Sequence, residues 1–531
     1  MRFDTRVVIL LLASMTVSGI DAAGAQEREP WSISHSVFVG GELEGYLRNL
    51  QLLGESPLYP WSIRSFSAGE VEALAPNSSD HPWSHRFDFS AAEGTPLEFR
   101  IIAPQAELFY NSAFPYGHND GAIWAGRGLT SSVRAGFFAS AGPLSLTVAP
   151  VAFRSENRSF GLEPNGQSGK LRFQDPRSRK IDLPQRFGDD AYMRVDPGQS
   201  SLRLDLMGAV LGASTANQHW GPAVDYPLIL GNNAGGFPHV FLGTSRPVDL
   251  WVGTVHTRIV WGRLDQSEFS PIQSGEDRRF ASALVAVFSP AFLDGLEIGG
   301  ARFFHTNWPS GGIDGDDLLT PLQGILKTNV GGGDADAAGE NQIASVFGRW
   351  ALPSSGVEVY GEYVREDHSY DLRDLTLEPD HISGYTLGLR KVWEVDDAEM
   401  VAMRAELSNT EISHLVQVRG QSALYEHSPV RQGHTQRGQV LGSYTGFGGG
   451  GSTLAVDWYT PEGRWSAFWS RALVDELAGE RDVRHALNLE RLMFRGGVEI
   501  EAGVTTVYEI NRTPGKDAWN VNANLIGRYR F

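Results

Sequence analysis

Glu499 and Glu501 stand two residues apart in the segment VEIEAGV. On a strand they would share one face about 6.6 Å apart, within the roughly 5–9.5 Å that a glycosidase carboxylate pair spans. Glu358 and Glu362 also share a face, but about 13 Å apart, too far for that chemistry. Hydrolysis needs one carboxyl of the pair to keep a proton. The end of the chain supplies Arg528 and Arg530, which would hold both carboxylates ionised. A ladder of ion pairs, Glu499 with Arg530 and Glu501 with Arg528, is therefore the stronger reading; an outer-membrane hydrolase is the weaker one. Asp314, Asp316 and Asp317 could touch calcium, but an Asp/Gly loop alone lacks the rest of a ligand set. The 14 histidines are scattered without ligand spacing, and the lack of cysteine removes thiolate and disulfide chemistry. No nucleophile elbow or phosphate-cradling loop is present. No catalytic residue, metal or cofactor is expected.

These charges sit on strands of a particular kind. In Trp519 to Phe531, WNVNANLIGRYRF, the odd positions are apolar apart from Gly527, and the even positions are polar apart from Ile526. Side chains alternate faces along a strand, so the segment has one apolar and one wet face. Trp519 and Tyr529 would be about 33 Å apart along the strand, roughly 24–25 Å once tilted, close to the apolar band of an outer-membrane barrel. The preceding strand, Val498 to Glu509, carries Val498, Ile500, Ala502, Val504, Thr506 and Tyr508 on one face, and 511–517 turns at Pro514-Gly515. Period-two alternation begins near residue 96 and recurs around Leu144, Leu202, Trp251, Val357 and Val401, with charge on one face only. The expected fold is an all-β transmembrane barrel over 91–531, of about 18 strands, with 16 fitting nearly as well. The Gly/Asp-rich stretches 307–341 and 446–452 read as loops.

Ahead of the barrel, Arg2 and Arg6 flank the apolar run Val7 to Ala13, and Ala23-Gly24-Ala25 offers a small-residue cleavage site. Residues 1–25 therefore read as a secretory signal peptide. Residues 26–90 read as helical: Leu43, Tyr46, Leu47 and Leu50 predict a helix from Glu42 to Leu53, and Ser67 with Glu70 forms a capping box for a second. Such a segment either plugs the lumen or stands free in the periplasm, and 76–83 reads as a linker. Nothing in the 531 residues offers an apolar run long enough for a spanning helix. The net charge of −18 argues against nucleic-acid or anionic-lipid partners. The expected surroundings are outer-membrane lipid, a periplasmic C-terminus, and the barrel assembly machinery acting on the Phe531 strand.

The most distinctive interior passage is residues 216–248, containing Trp220-Gly221-Pro222, Asn233-Ala234 and Phe237-Pro238. With NSAFPYGHNDGAIWAGRG (111–128), GQSSLRLDL (198–206) and YEHSPVRQGHTQRGQVLG (425–442), it resembles the Wzi family of outer-membrane capsule-assembly proteins. His219 departs from the aromatic or bulky residue expected before the tryptophan. The resemblance implies an 18-stranded barrel occluded by helices, a lectin that binds capsular or extracellular polysaccharide and is not an enzyme. Rings cover sugar C–H faces while amides and imidazoles bond hydroxyls, so Trp220, Asn232, Asn233 and His239 become candidate contacts. The other reading of Gly221, Pro222, Ala234, Phe237 and Pro238 is purely architectural, the shaping of an inward-folded loop. A porin with an open charged lumen is the alternative function.

Overall fold

The computed structural model describes residues 29–90, 97–273, 277–323, 340–366, 379–396, 398–413, 422–477 and 480–531. The signal peptide expected at 1–25 lies outside them. Alternation of apolar and polar side chains drives 21 strand segments into one closed antiparallel barrel; three strands are each broken in two, so the wall has 18 strands. One side of the wall is made of β1 (Leu97–Asn111), β2 (Gly128–Ala141), β3 (Leu144–Val148 and Val151–Ser155), β4 (Tyr192–Asp196 and Ser201–Leu206), β5 (Ala209–Ser214) and β6 (His239–Thr244 and Val248–Leu250). It continues through β7 (Gly253–Asp265), β8 (Arg278–Pro290), β9 (Leu296–Asn307), β10 (Glu340–Leu352), β11 (Val357–Glu366) and β12 (Ser383–Asp396). The circle ends with β13 (Glu399–Asn409), β14 (Gly450–Thr460), β15 (Gly463–Leu477), β16 (Glu480–Arg495), β17 (Val498–Thr513) and β18 (Lys516–Tyr529). β18 closes on β1 from Asn522↔Asn111 to Arg528↔Gln105.

The outward face is apolar and uncovered. Val346, Leu389 and Leu487 point away from the lumen and are exposed, as a wall immersed in hydrocarbon requires. Trp251, Phe292, Trp458 and Tyr529 ring one end, and Trp519, Tyr385 and Trp308 the other. Short turns such as 142–143, 207–208, 461–462 and 496–497 join strands at the first end, while 112–127, 156–191 and 215–238 are long connections at the second. No helix among the described residues is long and apolar enough to cross a membrane.

The lumen is filled from both ends. α1 (Glu42–Leu53) enters from the short-turn end with Tyr46, Leu47 and Leu50 buried, and stops at Gly54, whose φ of +80° is the left-handed conformation that ends helices. α2 (Ala68–Ala73) carries the reciprocal Ser67–Glu70 capping box. Residues 29–90 are thus an internal plug and not a detached module. Residues 76–83 are not a free linker either, since Trp83 is buried, stacks on Tyr46 at 4.2 Å, and donates its indole N–H to Thr460 O at 3.0 Å.

Three local expectations are corrected. The loop 307–341 contains α3 (Gly315–Gln323), and Gly450–Ser452 belong to β14. Asp314 caps α3, accepting from the N–H groups of Asp316 (2.9 Å) and Asp317 (3.0 Å), while Asp317 accepts from Asp314 N at 3.0 Å, so these acids form a capping box. In the last hairpin, Thr513↔Lys516 at the Pro514-Gly515 turn has the expected register, but a shift between Glu509 and Thr513, where Asn511 has φ +56°, offsets the rest by two residues. Glu499 therefore lies opposite Arg528 and Glu501 opposite Ile526.

Candidate functional site

On β11 the lumen-facing positions at a spacing of four are Glu358, Glu362 and Glu366, all buried. The lowest holds the plug. Arg48 of α1 reaches Glu358 with Nη2 at 2.6 Å and Nε at 3.1 Å, and Arg349 reaches the same carboxylate with Nε at 2.7 Å. Arg349 also pairs with Glu297 and donates to Gln51 Oε1 at 2.6 Å. Glu297 in turn accepts from Trp61 N at 2.9 Å and Ser62 Oγ at 2.9 Å. A buried charge survives only when paired and hydrogen-bonded, and here each carboxylate oxygen has a donor.

Higher in the lumen, wall carboxylates hold the long loops instead, and their donors are mostly backbone amides. Glu406 on β13 accepts from the N–H groups of Val224 (2.8 Å), Asp225 (2.9 Å) and Tyr226 (2.7 Å), and from Tyr360 Oη at 2.5 Å. Glu366 accepts from Tyr425 N and from Asn341 Nδ2 at 2.7 Å, and Glu362 faces Leu228 N at 3.4 Å. Tyr425 Oη donates to Leu228 O at 2.6 Å. Segments 215–238 and 422–449 thereby form an inward-folded cap.

Trp220-Gly221-Pro222 joins plug to cap. His219 and Trp220 pair antiparallel with Arg64 and Ile63 of the plug, Gly221 N donates to Ser62 O at 2.9 Å, and Pro222 O accepts from Arg48 Nη2 at 2.8 Å. Gly221 has φ +86°, a conformation that favours glycine, and a β-carbon there would meet the carboxylate end of Glu362, with Oε2 at 2.7 Å. His219 bonds Ala223 O at 3.0 Å; burial, with Arg64 nearby, holds its imidazole well below the ordinary histidine range and neutral. That internal bond accounts for the histidine standing where a bulky residue was expected.

The candidate sugar contacts divide. Trp220 is 0% exposed within the apolar core with Ile63, Leu228 and Phe237, and His239 is 5% exposed with Nδ1 bonded to Phe237 O. Neither presents a face to a polymer; both are architectural, because the loop carrying them folds into the barrel. Asn232 and Asn233 are half-buried, donating to Asn119 O at 2.7 Å and Val440 O at 3.0 Å. Asn232 lines a cavity of about 540 Å³ between plug and cap, with Asp120, Arg134, Arg464 and Asn488 on its walls. Ala234 O accepts from Asn217 Nδ2 at 2.7 Å, Phe237 is buried, and Pro238 O accepts from Arg263 N at 2.9 Å, so these motif residues set the loop's path.

The four lumen charges at the chain's end meet despite the offset register, as diagonal neighbours. Arg530 Nε lies 2.5 Å from Glu499 and Arg528 Nη2 3.4 Å from Glu501, with Arg86 of the plug also 3.4 Å from Glu499. Sequence reasoning passed over Arg48, Glu297 and Glu406, whose partners lie far away along the chain. At the long-loop end Arg179 and Lys180 of the 156–191 connection and Arg431 of the cap are exposed, in segments joined by Asp182 N to Gln432 O at 2.8 Å. None of the three is ion-paired with a described carboxylate.

The architecture is similar to a solved structure: Wzi of Escherichia coli, an outer-membrane protein involved in group 1 capsule assembly and described as a carbohydrate-binding β-barrel. The two are 14% identical with a TM-score of 0.60, over 92% of this chain and 98% of that one. Acinetobacter baumannii OccAB2 (7% identity, TM-score 0.40, covering 82% and 98%) and Pseudomonas aeruginosa OccK10 (10%, 0.41, 82% and 99%) are similar only at a level that carries no argument. No curated protein matches the chain. The family model described as capsule assembly protein Wzi matches residues 118–464, most of the barrel and the Trp220-Gly221-Pro222 side of the joint between plug and cap. The chain belongs to the Wzi family of capsule assembly proteins.

Proposed function

We propose that this outer-membrane barrel is a surface lectin, binding secreted capsular or extracellular polysaccharide at its long-loop end and anchoring it to the cell without turnover. The observation that carries this reading is the joint at Trp220-Gly221-Pro222: plug and cap are hydrogen-bonded to each other and to the wall, leaving the outer face of the cap as the working surface. The carbohydrate binding described for the Escherichia coli Wzi barrel supports the same reading. Short turns mark the periplasmic end of outer-membrane barrels, so the plug and the Phe531 terminus face the periplasm and the cap faces outward. Export by the 1–25 signal peptide and handling of the Phe531 strand by the barrel assembly machinery belong to this reading. Arg179, Lys180 and Arg431, without an ion pair among the described residues, offer exposed cations on a chain of net charge −18, suited to the carboxylates of an acidic polysaccharide.

The test is retention of the host's own exopolysaccharide on immobilised protein. Wild type retains the polymer, the Arg179→Ala, Lys180→Ala, Arg431→Ala triple variant retains less, and Trp220→Phe matches wild type if it folds. A wild type that retains no polymer refutes the lectin reading.

A further inference from the structure

Two arginines are buried on the inner wall between β3 and β7, and they differ in their counterions. Arg203 on β4 lies 2.9 Å from Asp205 and 3.2 Å from Glu70 of the plug. Arg258 on β7 is 2% exposed and has no carboxylate within 4.0 Å among the described residues. Its Nη1 donates to Gln218 Oε1 at 3.0 Å, and its guanidinium lies 5.4 Å from the centre of the Phe241 ring. Nε and Nη2 find no acceptor among those residues. Glu70 is already taken, its oxygens accepting from Ser67 N and Oγ, Tyr59 Oη and Arg203 Nη1. Arg349, by contrast, meets two carboxylates, and Arg279 gives both its Nη groups to the carbonyls of Gly433 and Thr435.

Arg258 borders an internal cavity of about 60 Å³ between plug and wall. Residues from 34–39 and 65–68 of the plug line one side, β2 to β7 line the other, and Gln218 of the cap contributes as well. Ser34, Thr147 and Ser201 add hydroxyls to the lining. Two arginines border this cavity, Arg203 and Arg258, and no described Asp or Glu does.

Burying a cation is costly unless an anion or a full set of acceptors answers it. Water supplies acceptors without charge; an anion supplies both. A cavity of this size takes an ion comparable to one or a few waters, so the ligand is monatomic or nearly so. We propose that the pocket binds a small inorganic anion, a halide such as chloride, against Nε and Nη2 of Arg258, and that the ion pins the plug to β4–β7. The proposal is independent of polysaccharide binding.

The experiment compares the purified barrel, plug included, in sodium chloride, sodium bromide and sodium gluconate at equal ionic strength, gluconate being too large for the cavity. Chloride is expected to raise the unfolding midpoint by a few degrees over gluconate, saturably with concentration. It should also slow hydrogen exchange severalfold in 34–39 and 65–68. Arg258→Gln removes both effects, and Arg258→Lys retains part of them. Heat-dependent gel mobility confirms that each variant is a folded barrel. Crystals of wild type grown in bromide should show anomalous scattering within hydrogen-bond reach of Arg258 Nε and Nη2, a reading that stands should Arg258→Gln fail to fold. Equal midpoints in chloride and gluconate, a chloride effect undiminished in Arg258→Gln, or bromide crystals with water alone in the cavity would each overturn the proposal.

Discussion

Plug and cap close one lumen by different physics. The plug presents a guanidinium cation to the wall: Arg48 meets Glu358 inside a network that also neutralises Arg349 and Glu297. The cap presents amides: Glu406 takes three consecutive N–H groups of 224–226, and Glu366 takes that of Tyr425. Both use carboxylates on the inner face of neighbouring strands, with Glu358, Glu362 and Glu366 stacked along β11. A guanidinium tether costs heavily to break because a lone charge stays buried, whereas an amide tether can be loosened one bond at a time. The pattern suits a fixed floor beneath a loop surface that adapts to a ligand.

Substitutions at the two tethers should separate them. Arg349→Met leaves the buried Glu297 without a cation and Glu358 with Arg48 alone, and is expected to cost about 3–5 kcal/mol, read as a lower urea midpoint of the folded barrel. Glu406→Gln keeps an acceptor but loses the charge, with an expected cost of about 2 kcal/mol concentrated in faster proteolysis of 215–238. Equal losses from both would erase the distinction. Gly221→Ala forces a side chain into a left-handed conformation and toward Glu362, costing about 1–2 kcal/mol and loosening plug and cap together in hydrogen exchange.

The smallest effect near neutrality is that of pH on the plug. Burial lowers His35 and His81 to about 4, and Tyr46 Oη, which accepts from Trp83 N, donates to His81 Nδ1 at 2.8 Å. Between pH 6.5 and 4 the unfolded chain binds protons these imidazoles refuse, so their contribution is lost as pH falls through that window. Glu42, raised by burial to about 7, works in the opposite sense, its native proton being lost as pH rises toward 7. Hydrogen-exchange protection across 29–90, corrected for the base-catalysed intrinsic rate, should fall from pH 6.5 toward 4 in wild type and less so in His81→Asn. An equal response in the two would remove His81 from the account.

Local physics made much of this readable. α1 and α2 follow from apolar spacing and a capping box, both contained within a dozen residues. Strand faces were readable because period two needs no partner. The register of β17 and β18 was offset because the shift near Asn511 is a backbone irregularity without a side-chain signature. α3 was hidden because Asp314 and Asp317 resemble metal ligands as much as caps. Trp220 was open to both a sugar-contact and an architectural reading because a tryptophan beside amides suits either, and its burial is set by the fold. Arg48 with Glu358, 310 positions apart, could be paired only by closing the barrel.

The central claim is that the protein works on its outer face and not through its pore. Single-channel recording after insertion into planar bilayers tests it most directly. Wild type should give no sustained open-pore current, while a chain lacking 29–90 that still folds should give stepwise current. A steady open-pore current from wild type would contradict the account.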